Sequence, residues 1–238
     1  MTGIVFVHGA LVRDGAWWWG PVSELLQASS GLSSRSVQLP SCAEGASHDA
    51  GAGLAEDAAA LRRSLDEADD DLIVVGHSYG GTVMAEGADH PNVRHLVYIS
   101  SYLPSVGQAQ GELLSSERDP VAVRPSSAGM LEVDGYDQES FGARFLQDVD
   151  DPAVRANAWS RVTEQSVAAF TTPTTRAAWQ GRESTYFVCA EDRSTSAGLQ
   201  RRHAARATRS IELPTGHHPF LSRPDLVANH LREVVDAS

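Results

Sequence analysis

Between Leu72 and Gly81 the sequence reads Leu-Ile-Val-Val-Gly-His-Ser-Tyr-Gly-Gly, a short β-branched run that stops in a Gly-x-Ser-x-Gly turn. Thr82 to Ala88 then reads as helix, closed by Pro91. A chain that passes from a buried strand straight into a helix leaves almost no room around the residue at the apex. Gly76 and Gly80 allow neighbouring backbone to approach that apex without a Cβ collision. Such a segment fits a sheet with the helix packed against it. Ser78 then projects above the carboxyl edge of the strand, at the positive end of the helix, where negative charge is stabilised. So placed, Ser78 is a candidate nucleophile.

The flanking sequence repeats the same grammar. Apolar runs at Ile4 to Val7, Ser36 to Leu39, Leu72 to Val75, Leu96 to Ile99, Tyr186 to Cys189 and Ser210 to Leu213 read as strands. Helix-like stretches separate most of them: Pro21 to Gln27, Glu56 to Ala68, Thr82 to Ala88, Leu199 to Ala207 and Pro224 to Val235. This alternation predicts an α/β fold, a mostly parallel six-stranded sheet with helices on both faces. Residues 43–60, rich in alanine and glycine, read as a loop leading into the helix near Glu56. The alternation lapses between Leu103 and about Arg182, where short pieces such as Ser140 to Gln147 and Pro152 to Thr163 replace it. Residues 1–102 and 183–238 are therefore expected to form the core, and 103–182 a helical cap over the site. Phe141, Phe145, Trp159, Phe170 and Trp179 need something to cover. Phe141, Phe145 and Trp159, together with His218, are candidate substrate-binding residues.

The formal net charge of −12 repels phosphate, which argues against nucleic acid and anionic membranes as partners and leaves a small-molecule substrate. No window reaches the roughly 18 apolar residues of a membrane span, and the amino terminus shows no signal-peptide pattern. Cys42 and Cys189 lie far apart without metal-ligand spacing, as free thiols of a reducing compartment do, so a cytoplasmic address is expected. The oligomeric state is not legible. All 19 basic residues are arginine, which excludes Schiff-base catalysis by lysine.

A serine hydroxyl needs a base within reach and an acid to orient that base. Pro214-Thr-Gly-His-His-Pro-Phe follows the last strand run and returns to the edge where Ser78 sits. His217 is the expected base and His218 its rival. Tyr186-Phe-Val-Cys-Ala-Glu-Asp-Arg ends the preceding strand and offers Asp192 as the orienting acid, with Glu191 as the alternative. The strand ending at Ile99 is followed by Ser100 and Ser101, so no carboxylate competes from there. The developing oxyanion needs donors. The backbone N–H of Tyr79 and that of Ala10, in the turn Val7-His8-Gly9-Ala10, are the expected pair. His8 reads as holding that turn. His95 reads as structural, and His48, His90, His203 and His230 as solvated. Trp17 to Trp19 read as packing of the following helix.

With His-Gly-Ala near the amino terminus, Gly-His-Ser-Tyr-Gly-Gly, Cys-Ala-Glu-Asp-Arg and Gly-His-His-Pro-Phe-Leu-Ser-Arg-Pro, the chain resembles the α/β-hydrolase superfamily, in its branch of small esterases and hydroxynitrile lyases. The nucleophile, acid and base at 78, 192 and 217 fall in that superfamily's order. The resemblance implies a central nucleophile turn, no metal or organic cofactor, and a sheet that lacks the superfamily's usual first pair of strands. Plant lyases of this branch place a lysine directly after the catalytic histidine, where this chain has His218. The resemblance therefore implies a serine hydrolase acting on a small or medium carboxylic ester, thioester or lactone. Two rival expectations remain: a cyclase or C–C lyase using His217 as base, and a ligand-binding protein with a vestigial triad.

Overall fold

The computed structural model describes residues 2–42, 51–68, 70–126 and 129–238. The chain opens with β1 (Gly3–Val7), α1 (Gly15–Ser30), β2 (Ser34–Ser36), α2 (Leu54–Asp66), β3 (Leu72–His77), α3 (Gly80–Gly87) and β4 (Val93–Ile99). A segment of short elements follows: α4 (Gln110–Leu114), β5 (Val123–Pro125), β6 (Met130–Val133), α5 (Gln138–Phe145), α6 (Pro152–Trp159), β7 (Gln165–Ser166) and α7 (Ala168–Thr171). It closes with β8 (Ser184–Cys189), α8 (Ala197–Ala204), β9 (Arg209–Leu213), α9 (Pro219–Ser222) and α10 (Pro224–Ala237).

Six strands form one sheet in the order β2-β1-β3-β4-β8-β9, and every pairing in it is parallel. Both faces are covered, which is why the central strands are apolar at consecutive positions rather than at alternate ones. The two-residue period of a strand sorts their side chains. Val5, Val7, Leu72, Val74, Leu96 and Tyr98 pack with Leu61 and Leu65 of α2 and Val83 and Met84 of α3. Ile4, Phe6, Ile73, Val75, Val97 and Ile99 pack with Trp19, Val22 and Leu26 of α1 and Leu231 and Val234 of α10. Burying one such side chain is worth about 1.5–3 kcal/mol. The three-tryptophan run behaves as expected of packing, since Trp19 stacks on Phe6 with ring centroids 4.4 Å apart.

Two boundaries differ from the sequence expectation. β2 pairs as Ser34–Ser36 instead of Ser36–Leu39, because after the Val37 amide bonds the Phe6 carbonyl the chain turns away at Pro40–Cys42. Val37 and Leu39 are buried without being in the strand; their apolarity marks core, not pairing. α1 starts at Gly15, capped by the side chain of Asp14 on the Trp17 amide, and carries Pro21 inside it. The helix accommodates the proline at the cost of one backbone hydrogen bond.

The segment between β4 and β8 is less purely helical than expected, for it includes a three-stranded antiparallel sheet, β5-β6-β7. Arg124 and Glu132 pair across its first two strands. Loops 10–14 of the core and 160–165 of this segment are stitched together: Arg13 N–H donates to Arg161 O, Thr163 N–H to Leu11 O, and Arg161 pairs with Asp14. No helix among the described residues is long and apolar enough to cross a membrane. The part of the alanine- and glycine-rich stretch at 43–50, with His48, lies outside the described residues.

Candidate active site

The turn after β3 forces Ser78 to a φ of 50°, a left-handed conformation that non-glycine residues adopt at a cost of order 1–3 kcal/mol. Its surroundings leave no alternative path. A Cβ on Gly76 would run into Met84 and the Gly80–Gly81 backbone, and one on Gly80 into the carbonyl oxygens of Val7 and His8. The turn is also braced from β4: Ser101 Oγ donates to the Ser78 carbonyl at 2.6 Å, and Tyr186 OH holds the Ser101 backbone by accepting from its N–H and donating to its carbonyl.

β8 and β9 end beside this turn and carry the other two expected residues. His217 Nδ1 lies 2.8 Å from Asp192 Oδ2, and both side chains are buried. Asp192 Oδ1 accepts from the amides of Ser194 (2.7 Å) and Thr195 (3.0 Å), and Oδ2 also accepts from Gln200 Nε2 (2.9 Å) and Ser100 Oγ. Burial alone would push this carboxyl up. The positive charge and hydrogen bond of His217, with the Ser100 and Ser194 donors, outweigh it and hold Asp192 below the usual carboxylate range. Asp192 is therefore the ionised partner of His217. Glu191 is exposed, and its backbone rather than its carboxylate ties to the neighbouring loop, by N–H to the Thr215 carbonyl and by its own carbonyl to Gln147 Nε2.

His217 Nε2 carries no protein hydrogen bond among the described residues and remains free to take a proton. Ser78 and His217 line one cavity without a direct hydrogen bond between them, a contact that in such sites tightens in the substrate complex. His218, the rival base, has no carboxylate partner among the described residues. Its Nδ1 donates to the Phe145 carbonyl at 3.0 Å, its ring stacks on Trp18, and burial together with the His217 charge pushes its pKa down to about 3. His77, inside the Gly-x-Ser-x-Gly motif, donates Nε2–H to the His217 carbonyl at 2.9 Å, and burial and the two neighbouring histidines keep it well below the ordinary range. The three imidazoles cluster closely enough to be considered as metal ligands. Each, however, already has one nitrogen committed to a protein acceptor, and one of them is the candidate base.

The cavity has a volume of about 390 Å³. Ala10, His218, Phe141 and Phe145 line it, along with Leu11, Leu114, Leu131 and Phe170. Trp159 corrects the sequence expectation: it is not in the wall but packs against Phe141, ring centroids 5.5 Å apart, at the end of α6. Neither the Ala10 nor the Tyr79 amide is engaged in a hydrogen bond among the described residues, whereas the Leu11 amide is held by Gln165 Oε1 at 2.9 Å. His8 is buried and donates to the Gly9 carbonyl, fixing that turn. His95 bonds Thr185 within the core. His203 is a second correction. It is buried, accepts from the Leu103 amide and sits edge-on to Tyr102, and burial with the Arg206 and Arg202 charges brings it to about 4. One face of α8 turns inward at that position, which a polar sequence context hides. His90 bonds Asp66, and His230 bonds Glu233.

Ser100 was not expected at the site. It stands at a φ of 44° at the end of β4, its hydroxyl 3.1 Å from His217 Nδ1 and bonded to Asp192. Its signal in the sequence is position alone, at the carboxyl end of the strand next to the candidate nucleophile's. Asp148 was also missed: it accepts from the Gly216 amide (2.6 Å) and Ser222 Oγ (2.7 Å), so the segment after β4 pins the histidine loop.

A family model for the alpha/beta hydrolase family matches residues 4–230. An alpha/beta hydrolase, nvfD, of Aspergillus novofumigatus is 28% identical over 96% of this chain and 94% of its own. Among solved structures, a pyrethroid hydrolase from Sphingobium faniae superposes with a TM-score of 0.82 at 24% identity, covering 100% of this chain and 98% of that one. A methylesterase from Arabidopsis does so with a TM-score of 0.77 at 18% identity over the full length of both.

Proposed function

The chain belongs to the alpha/beta hydrolase family, and on that premise we propose that it is a serine hydrolase that cleaves a small or medium carboxylic ester through Ser78, His217 and Asp192. Ser78 Oγ attacks the ester carbonyl while His217 Nε2 takes its proton. Asp192 keeps His217 in the tautomer with Nδ1–H and stabilises the imidazolium that forms. The amides of Ala10 and Tyr79 hold the oxyanion. His217 passes the proton to the leaving alcohol, and water, activated by the same imidazole, releases the acid from Ser78.

The observation that carries this reading is the pairing of a buried, ionised Asp192 with His217 in the cavity that also exposes the strained Ser78. The names of the relatives, hydrolases and esterases among them, support ester bonds as the target. A largely apolar wall supports an ester with hydrophobic acyl or alcohol groups, and residues 103–182 serve as the cap that forms much of that wall. The buried cysteines Cys42 and Cys189, which form no disulfide with each other, support the cytoplasm as its compartment.

A fluorophosphonate probe should label the protein at Ser78, and Ser78→Ala should abolish both labelling and ester turnover. Run in isotopically labelled water, the reaction should place one labelled oxygen in the acid product. A product that takes up no label would instead mark a lyase or cyclase, and a protein inert to the probe would mark a binding module.

A further inference from the structure

Asp57, on α2, has a fully buried side chain, and no arginine forms an ion pair with it among the described residues. Its Oδ1 accepts from the Ser41 amide at 2.9 Å; its Oδ2 accepts from Ser41 Oγ at 2.6 Å and from Tyr79 OH at 2.7 Å. Ser41 Oγ in turn accepts from Gln165 Nε2 at 2.9 Å, and Gln165 Oε1 accepts from the Leu11 amide at 2.9 Å. An unbroken hydrogen-bonded path thus runs from the residue after Ser78 to the residue after Ala10.

We propose that Asp57 is a positioning residue that sets both oxyanion donors, through the Tyr79 phenol on one side and through Ser41 and Gln165 on the other. This rests on the serine-hydrolase reading above. The Tyr79 ring is clamped between Asp57 and Phe170, so its own N–H keeps a fixed direction beside Ser78. Leu11 sits at a φ of 59°, and anchoring its amide on Gln165 leaves the preceding Ala10 amide free toward the cavity. Packing does not require a carboxylate here. A buried carboxylate without an arginine partner costs stability, and an apolar residue of similar volume would fill the space more favourably. Burial pushes this carboxyl above its usual range, against the hydrogen bonds from Ser41 and Tyr79; what the acid adds is acceptors for three donors at once. Gln165 belongs to β7, so the path also ties the oxyanion loop to the segment that walls the cavity.

The test uses the full chain, a p-nitrophenyl ester and an aryl trifluoromethyl ketone, whose serine-bound hemiketal places an oxyanion in the site. Losing one oxyanion donor costs about 10²–10³ in kcat, so displacing one costs less. Tyr79→Phe should lower kcat about 5- to 10-fold and Asp57→Asn about 10- to 100-fold, each with KM within about twofold. Both should weaken the ketone by the same factor as kcat, and the double variant should be no worse than Asp57→Asn. Tyr79→Phe keeps the ring packing and remains decisive even if Asp57→Asn does not fold. Tyr79→Phe with kcat within twofold of the parent, or with kcat lowered and ketone affinity unchanged, overturns the proposal. Ser78→Ala run alongside separates the two readings. If it still turns over ester, the serine mechanism falls and this proposal with it; if it is dead while Tyr79→Phe is unaffected, only the role of Asp57 falls.

Discussion

The floor and the roof of the cavity are built by different forces. The floor, made by loops at the carboxyl ends of β3, β4, β8 and β9, is a closed set of directional hydrogen bonds. Asp192 accepts from five donors, and Ser78, Ser101 and Tyr186 are locked in sequence. The roof, contributed by residues from about 110 to 170, is chiefly apolar, with Leu114, Leu131, Phe141, Phe145 and Phe170 facing the space. Chemistry needs atoms placed to within a fraction of an ångström, which hydrogen bonds supply. Discrimination among esters needs shape, which packing supplies. Changes in the floor should therefore act on every ester alike, and changes in the roof on some esters only.

The sharpest way to break that division is at the floor. On the proposed mechanism Ser78→Ala should reduce kcat about 10⁴-fold or more on any ester, the loss that removing the serine brings in Ser-His-Asp triads. Asp192→Asn should cost about 10³- to 10⁴-fold, because the amide favours the wrong tautomer of His217. If steady-state kinetics showed either variant selective among esters, floor and roof would not be separate. Ser100→Ala removes one of the donors to Asp192 and should lower kcat by about 3- to 10-fold with KM little changed, since a hydrogen bond to a charged group is worth about 1.5–3 kcal/mol and its loss is shared with the remaining donors. An effect confined to KM would move Ser100 from the floor to substrate contact.

Phe145→Ala sharpens the comparison from the roof. Across a series of p-nitrophenyl esters of rising acyl length, kcat/KM should change by about 10-fold in relative preference, while fluorophosphonate labelling of Ser78 persists. Uniform loss across the series would show that Phe145 positions the floor. That outcome has a visible route, because the Phe145 carbonyl holds His218.

The smallest expected effect concerns stability and pH. His77, His203 and His218 all have folded-state pKa values below 6.5, His203 at about 4 and His218 at about 3. Below pH 6.5 the unfolded chain binds protons at these sites that the folded chain does not. Their neutral burial is thus fully tolerated above about pH 6.5, and stability falls as pH drops from there toward 3, by up to about 1.4 kcal/mol per pH unit for each histidine. Urea unfolding between pH 7 and 4.5 should show this slope, and His218→Gln should reduce it by about one proton. An unchanged slope would mean that His218 is charged in the fold.

Much of the floor was legible because its residues lie in short local patterns. Gly76, Ser78 and Gly80 announce a turn with no room at its apex, and Asp192 and His217 each follow a recognisable strand end. Ser100 and Asp148 were not legible, because nothing local marks them: each acts on a residue far away in the chain. The roof is the least legible part. Its large apolar residues signal burial, but Phe141 faces the cavity and Trp159 does not, though both belong to the same helical pair. β2 teaches the same lesson, since apolar Val37 and Leu39 are core without being strand.

By itself the sequence determined the parallel sheet, the strained serine turn and the order of the three polar residues, because each follows from steric and periodic rules acting over a few neighbours. The tertiary structure alone decided which carboxylate meets the imidazole, which aromatic rings face the empty space, and that a buried acid on α2 reaches both sides of Ser78. Those outcomes depend on contacts between segments dozens of residues apart, and short-range chemistry carries no record of where such segments meet.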